Sequence, residues 1–278
     1  MLSAAAPEHA RDAWTRCALL RRERISRTAH RFTFAPADPR FAAQCLPGQH
    51  LQLSISDAAT GAHGAARSFT PVSIAPDGTF DVVFRVYSYS SSSSSSTSSG
   101  DVPHSSTFTE TLEALPVGGF IEASTPRGRL RYIAAGIYQI SGRAQRATNI
   151  GFVAAGTGIT PVYAALQAAL GNPADATRFT LVYASRSRGE ALLSAELEDA
   201  AERAGGRLRV VHVLSRDQDA AMTTTVYGRL DEAKLSAYLP APSVETLLMV
   251  CGPPAMVHGL VLPALKSLQH DDEQVFVF

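Results

Sequence analysis

The chain has 278 residues, 45% hydrophobic and 18% charged, with 25 Lys and Arg balanced by 25 Asp and Glu. That length accommodates two domains with separate cores, and zero net charge provides no global field for nucleic acid or an anionic membrane. Three cysteines, Cys17, Cys45 and Cys251, are too few for a disulfide framework or a four-cysteine iron–sulfur cluster; no metal site is expected, and a reducing compartment fits them.

At the amino-terminal end, Met1 to Ala10 is alanine-rich, contains Glu8 and lacks the arginine-rich amphipathic pattern of a transit peptide. No apolar run reaches the ~20 residues of a membrane helix. The expectation is a soluble or peripheral protein, cytoplasmic or mitochondrial, with targeting left open. Arg11, Arg16, Arg21, Arg22, Arg24, Arg27 and Arg31 crowd the start, and Asp12 and Glu23 are the only acids among them. Such a run is either a solvated strand face or a basic patch for an acidic protein partner.

Trp14 to Phe34 alternates loosely and reads as strand, and Pro36 to Pro47 is rich in turn residues. His50 to Ser56 alternates with period two, as a half-buried strand does. Arg67 to Ile74 and Phe80 to Tyr87 read as strands joined by the Pro76-Asp77-Gly78 turn, and Phe120 to Ala123 as another. Short strands divided by turns predict an antiparallel barrel or sandwich. Ser88 to Ser99 is nearly pure serine, with too little apolar surface to offset its ordering entropy, and reads as a disordered loop over about 88–100.

Gly136 to Thr148 reads as a linker. Beyond it, apolar strands (Ile150 to Ala155, Phe179 to Ala184, Leu208 to Leu214, Leu247 to Cys251) alternate with helical stretches (Val162 to Leu170, Leu192 to Arg203, Asp231 to Leu239, Ala255 to Leu268). That alternation predicts a doubly wound parallel sheet. Two glycine-bearing turns follow its strands: Gly156-Thr157-Gly158-Ile159-Thr160-Pro161 and Cys251-Gly252-Pro253-Pro254-Ala255-Met256. Gly156 and Gly158 let backbone approach a pyrophosphate, and Thr160 as N-cap with Pro161 at the first helical position would open an anion-binding helix. Cys251 ends a core strand and has no evident histidine partner, so it is not read as a nucleophile. Upstream, Arg67 offers a charge-assisted phosphate contact, Phe69 shares its face of the strand and offers a ring surface, and Thr70 and Ser73 offer hydroxyls.

Taken together, these residues resemble the NADH-cytochrome b5 reductase family within the ferredoxin-NADP reductase superfamily, over nearly all of Trp14 to Phe278. Arg67, Phe69, Thr70 and Ser73 match the family's Arg-x-Tyr-Thr/Ser-x-x-Ser motif. Phe84-Arg85-Val86-Tyr87 matches Ile-Lys-Val-Tyr, and Ser106-Thr107-Phe108-Thr109 echoes the Gly-Lys-Met-Ser phosphate cap. The Gly156 to Pro161 run, the Cys251 to Met256 run and the Phe276-Val277-Phe278 ending are complete. Phe69 keeps a stacking ring without the phenol, Thr107 lacks the lysine charge, and Arg85 keeps charge with a different shape.

The resemblance implies an antiparallel β-barrel FAD-binding domain at 14–135 and an α/β doubly wound NAD(P)-binding domain at 147–278. It implies an NADH-cytochrome b5 reductase-like flavoprotein in which NADH, or NADPH, reduces a non-covalent FAD, which passes electrons to cytochrome b5 or a similar small haem protein. FAD falls to Arg67, Ser68, Phe69, Thr70, Ser73, Val83, Arg85, Tyr87, Thr107, Phe108 and Thr109. The nicotinamide coenzyme falls to Gly156, Thr157, Gly158, Ile159, Thr160, Pro161, Ser185, Arg186, Cys251, Gly252, Pro253, Pro254, Met256 and Phe278. Thr70, Thr160 and Cys251 are the candidates beside the reacting rings. Ser185, Arg186 and Arg188 would welcome the 2′-phosphate of NADPH, whereas Glu190 would repel it, and NADH is favoured. A monomer with no nucleic-acid partner and no transmembrane segment is expected. Two other readings stay open: the reductase component of a multi-protein oxygenase system, and a non-enzymatic binding module on a decayed reductase fold.

Overall fold

The computed structural model describes residues 14–56, 64–86, 105–217 and 225–278. The serine-rich stretch and Tyr87 lie outside the described residues, as does Arg11. Contacts divide the chain into two units, residues 1–45 with 50–127, and residues 46–49 with 128–278.

The first unit contains β1 (Trp14–Arg24), β2 (Ala29–Pro36), β3 (Leu51–Ser54), β4 (Arg67–Phe69), β5 (Pro71–Ile74), β6 (Phe80–Arg85), helix α1 (Ser105–Ala114) and β7 (Phe120–Ser124). Trp14 to Phe34, read as one strand, is a hairpin. The Ser26 hydroxyl accepts the backbone N–H of Ala29 at 3.1 Å, and this local bond turns the chain between β1 and β2. The seven strands run in the order β4-β3-β7-β1-β2-β6-β5, antiparallel at every pairing. β4 and β5 stand at opposite ends of that order, yet Thr70 alone separates them in the chain. One residue spans only ~3.5 Å, so the two edges must meet and the sheet curls into a nearly closed barrel. Phe32, Phe34, Phe80, Phe84, Leu51 and Leu53 fill its interior, and Phe108 and Leu112, one helical turn apart, lay α1 against the same core.

The second unit opens with an antiparallel meander of β8 (Leu130–Ala134), β9 (Ile137–Ile140) and β10 (Arg143–Arg146), where a linker was expected. The glycines that read as linker signals close its two-residue turns. Ala135 and Gly136 have φ of 44° and 75°, and Ser141 and Gly142 have φ of 49° and 85°. Positive φ at both central residues is the twist-compatible hairpin geometry. Asp175, almost fully buried, fastens this meander to the rest of its unit. It accepts hydrogen bonds from the Tyr132 phenol (2.8 Å), Gly136 N–H (3.0 Å) and Thr177 N–H (2.8 Å). Burial pushes its carboxyl pKa up, but these donors outweigh burial and hold it below the ordinary value.

Next come β11 (Asn149–Ala155), α2 (Ile159–Leu170), β12 (Arg178–Ser185), α3 (Ser194–Arg203), β13 (Leu208–Leu214) and β14 (Thr225–Tyr227). They are followed by α4 (Glu232–Tyr238), β15 (Thr246–Cys251), α5 (Pro254–Met256), α6 (Leu262–Ser267) and β16 (Val275–Val277). A π-helical turn, Val257–Val261, joins α5 to α6 just before Pro263, which has no N–H to continue a regular ladder. The sheet order is β14-β13-β12-β11-β15-β16, parallel throughout. From β11 the chain steps to one side through β12, β13 and β14, then returns to the other side through β15. β11 and β15 therefore flank the topological switch point, where open α/β sheets bind ligands at strand carboxyl ends.

Candidate functional site

In the second unit, β11 and β15 pair directly, with Ala154 opposite Cys251. The segments that follow them leave the sheet side by side. Gly156–Gly158 forms a single 3-10 turn that runs into α2. A Cβ on Gly158 would lie 2.4 Å from the carbonyl oxygen and 2.6 Å from the carbonyl carbon of Cys251. Gly158 is thus required by the packing of one turn on the other. Gly156 differs: its φ is +56° and a Cβ there would meet nothing within 4 Å, so this glycine faces open space. A Cβ on Gly252 would lie 2.5 Å from the Met256 Cε and 3.3 Å from the Ala155 Cβ.

Helix α2 begins at Ile159, with Gly158 as N-cap and no side-chain cap, so Thr160 does not cap it. The Thr160 hydroxyl instead donates to the Thr157 carbonyl at 3.1 Å. Pro161 lies within the first turn of α2, where the N–H it lacks has no intrahelical acceptor. Thr160 and Ile159 are buried. Burial raises the Cys251 thiol to about 11, so it stays a neutral thiol at neutral pH. Phe278 reaches the same strand end: its N–H donates to the Val250 carbonyl at 3.1 Å, and its ring meets Phe276 edge-on at 5.1 Å.

Beyond β12, Ser185 has its hydroxyl buried and without a hydrogen-bond partner, and Arg186 is exposed. Arg188 is engaged twice. Its N–H donates to Asp217 at 2.7 Å and its guanidinium pairs with Glu198 at 2.8 Å. Neither Asp217 nor Glu198 stands out in the sequence, because Glu198 is one of several acids on α3 and Asp217 lies far from it in the chain.

In the first unit, the residues read as one strand from Arg67 to Ile74 are divided by the barrel seam. Arg67, Ser68 and Phe69 form β4, Thr70 is the buried crossing residue, and Ser73 is exposed on β5. Arg67 donates to the Ala66 carbonyl at 2.9 Å and meets no carboxylate among the described residues. Phe69 is wedged against Phe84, edge-on at 6.3 Å, and Phe108 at 5.7 Å, a cluster that fixes its ring. Arg85 is buried at 8% exposure and donates to the Thr28 hydroxyl at 3.1 Å. Val83 is buried one position in from it on the same sheet face, away from the Phe80, Val82 and Phe84 side. Thr107 and Thr109 lie on the first turns of α1. Among the described residues, no group of three His, Cys, Asp or Glu side chains is placed to hold a metal, and no helix is long and apolar enough to cross a membrane.

Comparison with known proteins agrees with this geometry. Residues 16–132 match the oxidoreductase FAD-binding domain family and residues 152–261 the oxidoreductase NAD-binding domain family. The chain is 32% identical over 260 residues to "Nitrate reductase [NADH] 2" of Nicotiana tabacum, covering 92% of this chain and 27% of that protein. It is 33% identical over 270 residues to "Nitrate reductase [NAD(P)H]" of Hordeum vulgare, covering 95% and 29%. The chain thus spans about a quarter of the length of these relatives. Its fold superposes on the cytochrome b5 reductase domain of Ulva prolifera nitrate reductase with a TM-score of 0.82 at 25% identity, covering 96% of this chain and 97% of that domain. FAD and a nicotinamide dinucleotide are the cofactors of these two domain families. The chain belongs to the ferredoxin-NADP reductase superfamily, as a cytochrome b5 reductase-like oxidoreductase in which an FAD-binding domain precedes an NAD-binding domain.

Proposed function

We propose that the chain oxidises NADH and delivers the electrons, by way of FAD, to a haem protein such as cytochrome b5. The observation that carries this reading is the pair of interlocked turns at the switch point of the parallel sheet, with Gly156 open to one side. The residues present fit both cofactors. For a dinucleotide, the open face of Gly156 admits phosphate where a side chain would intrude, and the first amides of α2 supply donors. For FAD, Arg67 offers a cation that no described carboxylate neutralises, and the start of α1 offers further amides. FAD, when bound, supplies the chemistry that links a two-electron hydride donor to a one-electron acceptor.

The protein's part is placement. Phe69, braced by Phe84 and Phe108, presents a fixed ring surface, and Thr70 at the barrel seam and Ser73 on β5 would offer hydroxyls. Thr160, Cys251 and Phe278 would frame the nicotinamide side, and burial keeps the Cys251 thiol neutral there. Holding reactants in a productive orientation lowers a barrier by several kcal/mol without an acid–base residue. The coenzyme is NADH in this reading. The Arg188 guanidinium is paired with Glu198, which competes with a 2′-phosphate for it, and the Asp217 carboxylate, which accepts the Arg188 backbone N–H, adds a second negative charge beside it.

The outer face of β1 supports an acidic acceptor. Arg16 stacks on the half-exposed Phe120 ring at 3.7 Å, Leu20 and Val117 are exposed nearby, and Arg21, Arg22 and Arg24 continue along the strand. Aromatic and arginine anchors with an apolar patch are the composition of protein-binding hot spots. The test is anaerobic: protein loaded with FAD is reduced with NADH and mixed with ferric cytochrome b5. Rapid haem reduction that slows as salt rises is expected. Reduced protein that leaves the haem ferric, at low and high salt alike, contradicts the acceptor. The working state is a monomer, checked by light scattering against 29.5 kDa.

A further inference from the structure

Tyr183 lies near the carboxyl end of β12 and is completely buried. Its phenol donates to the Gly156 carbonyl at 3.2 Å and accepts the Leu192 N–H at 2.9 Å. A single buried hydroxyl thus connects the open turn at the switch point with the segment that follows β12. Both ends of this bridge are conformationally unusual. Gly156 has φ +56°, and Leu193, the residue after Leu192, is a buried non-glycine at φ 57°. A side chain in that region carries a strain of ~1–2 kcal/mol, so its neighbours must hold it there.

The geometry of the peptide plane gives this bridge a consequence for binding. In a trans peptide the C=O and the following N–H point in opposite directions. The Gly156 carbonyl accepts both the Tyr183 phenol and, within the 3-10 turn, the Ile159 N–H, so the Thr157 N–H of the same plane points away from these donors. Glycine makes the alternative orientation accessible at little steric cost. A flipped plane would turn the carbonyl outward and place its negative end where an anion must sit.

We infer that Tyr183 is a positioning residue for the coenzyme: its hydroxyl holds the Gly156–Thr157 peptide with its N–H presented to the pyrophosphate, and couples that orientation to the segment at Leu192. This rests on the reading of the switch-point turn as the dinucleotide site. The sequence signal for it is a phenol in the largely apolar run Phe179 to Ala184, since a buried Tyr hydroxyl needs a partner.

The test is Tyr183→Phe, which keeps the ring and removes one oxygen. NAD+ binding to the oxidised, FAD-loaded protein is measured by calorimetry, together with steady-state kinetics, melting temperature and flavin spectrum. The dissociation constant for NAD+ and the KM for NADH should rise about tenfold, the loss of one hydrogen bond to a charged group. The kcat should stay within about twofold, because the hydroxyl does not touch the reacting rings. A variant that melts lower yet binds NAD+ as the parent does has lost only a structural bond, and overturns the proposal. A fall in kcat with unchanged binding overturns it as well. Parent protein that fails to bind NAD+ at all sinks the dinucleotide reading itself, a result distinct from either.

Discussion

In the second unit, both glycine-bearing segments leave the ends of adjacent parallel strands, and the sheet brings them together with no further device. In the first unit, the Arg67–Ser73 segment crosses the barrel seam, so Arg67 and Ser73 lie on strands at opposite ends of the sheet order. A parallel sheet concentrates its ligand chemistry where strands end, so a contiguous motif marks a contiguous site. A barrel divides a contiguous motif between two edges, and the site depends on closure of the sheet. Damage should therefore differ in kind. Changes at the switch point should act on the coenzyme or on the packing of two turns, and changes at the seam on flavin retention.

The sharpest separation is available within the second unit. Gly158→Val drives a side chain into the Cys251 backbone, 2.4 Å away for the Cβ alone, and backbone cannot yield as a flexible side chain does. NADH-dependent flavin reduction should fall by roughly 100-fold or more, with a lowered melting temperature, as expected for overpacking worth ~1–3 kcal/mol beside the site. An unaltered melting curve would refute the interlocked turns. At the seam, Arg67→Ala should weaken FAD binding by roughly 10–100-fold, the worth of a charge-assisted contact, while NAD+ affinity is unchanged. Flavin titration and calorimetry read the two affinities, and equal loss of both would erase the contrast between the units. Gly156→Val should raise the KM for NADH by about tenfold. It carries a smaller stability cost of ~1–2 kcal/mol, because its Cβ meets open space and only the φ of +56° opposes it.

Smaller effects sharpen the same contrast. Asp175→Asn should lower the stability of the second unit by ~1–3 kcal/mol, because an NH2 donor replaces one of the two oxygens that accept its three buried hydrogen bonds. Its folded pKa is depressed from 3.8, so the carboxylate's contribution is full above that value and is lost as pH falls through the lower folded value. The gap between parent and variant melting temperatures should hold at neutral pH and close in acid below about pH 4. A gap that instead widens in acid would contradict the assignment. Glu198→Gln should free Arg188 and improve kcat/KM for NADPH several-fold, with NADH little changed; the surface exposure of this pair keeps the effect modest. No change in NADPH use would remove Arg188 from the account of coenzyme choice.

Much of this architecture could be read before any coordinates. The four apolar runs from Ile150 to Cys251 became β11, β12, β13 and β15 within a residue or so at each end, because parallel strands buried on both faces read as continuous hydrophobic runs. The meander at 130–146 was missed: Ala135-Gly136 and Ser141-Gly142 look like linker glycines until positive φ at both residues of each pair shows two tight hairpins. The division of Arg67–Ile74 was hidden because closure of a barrel is a property of strand order, which local alternation does not carry. At the site, the two glycine-bearing turns at the ends of adjacent strands were legible, but the packing of Gly158 on the Cys251 backbone was not, since that contact joins residues far apart in the chain. Thr160 looked like a cap, yet its hydroxyl donates backwards to Thr157 and leaves the helix start to backbone amides.

The central claim, that NADH reduces a flavin held by this chain, is tested most directly by anaerobic titration of the FAD-loaded protein with NADH, following flavin absorbance. The account predicts bleaching that ends at about one NADH per bound flavin, with NADPH reacting more slowly. A flavin that stays oxidised with excess NADH, in protein that retains its FAD, would contradict it.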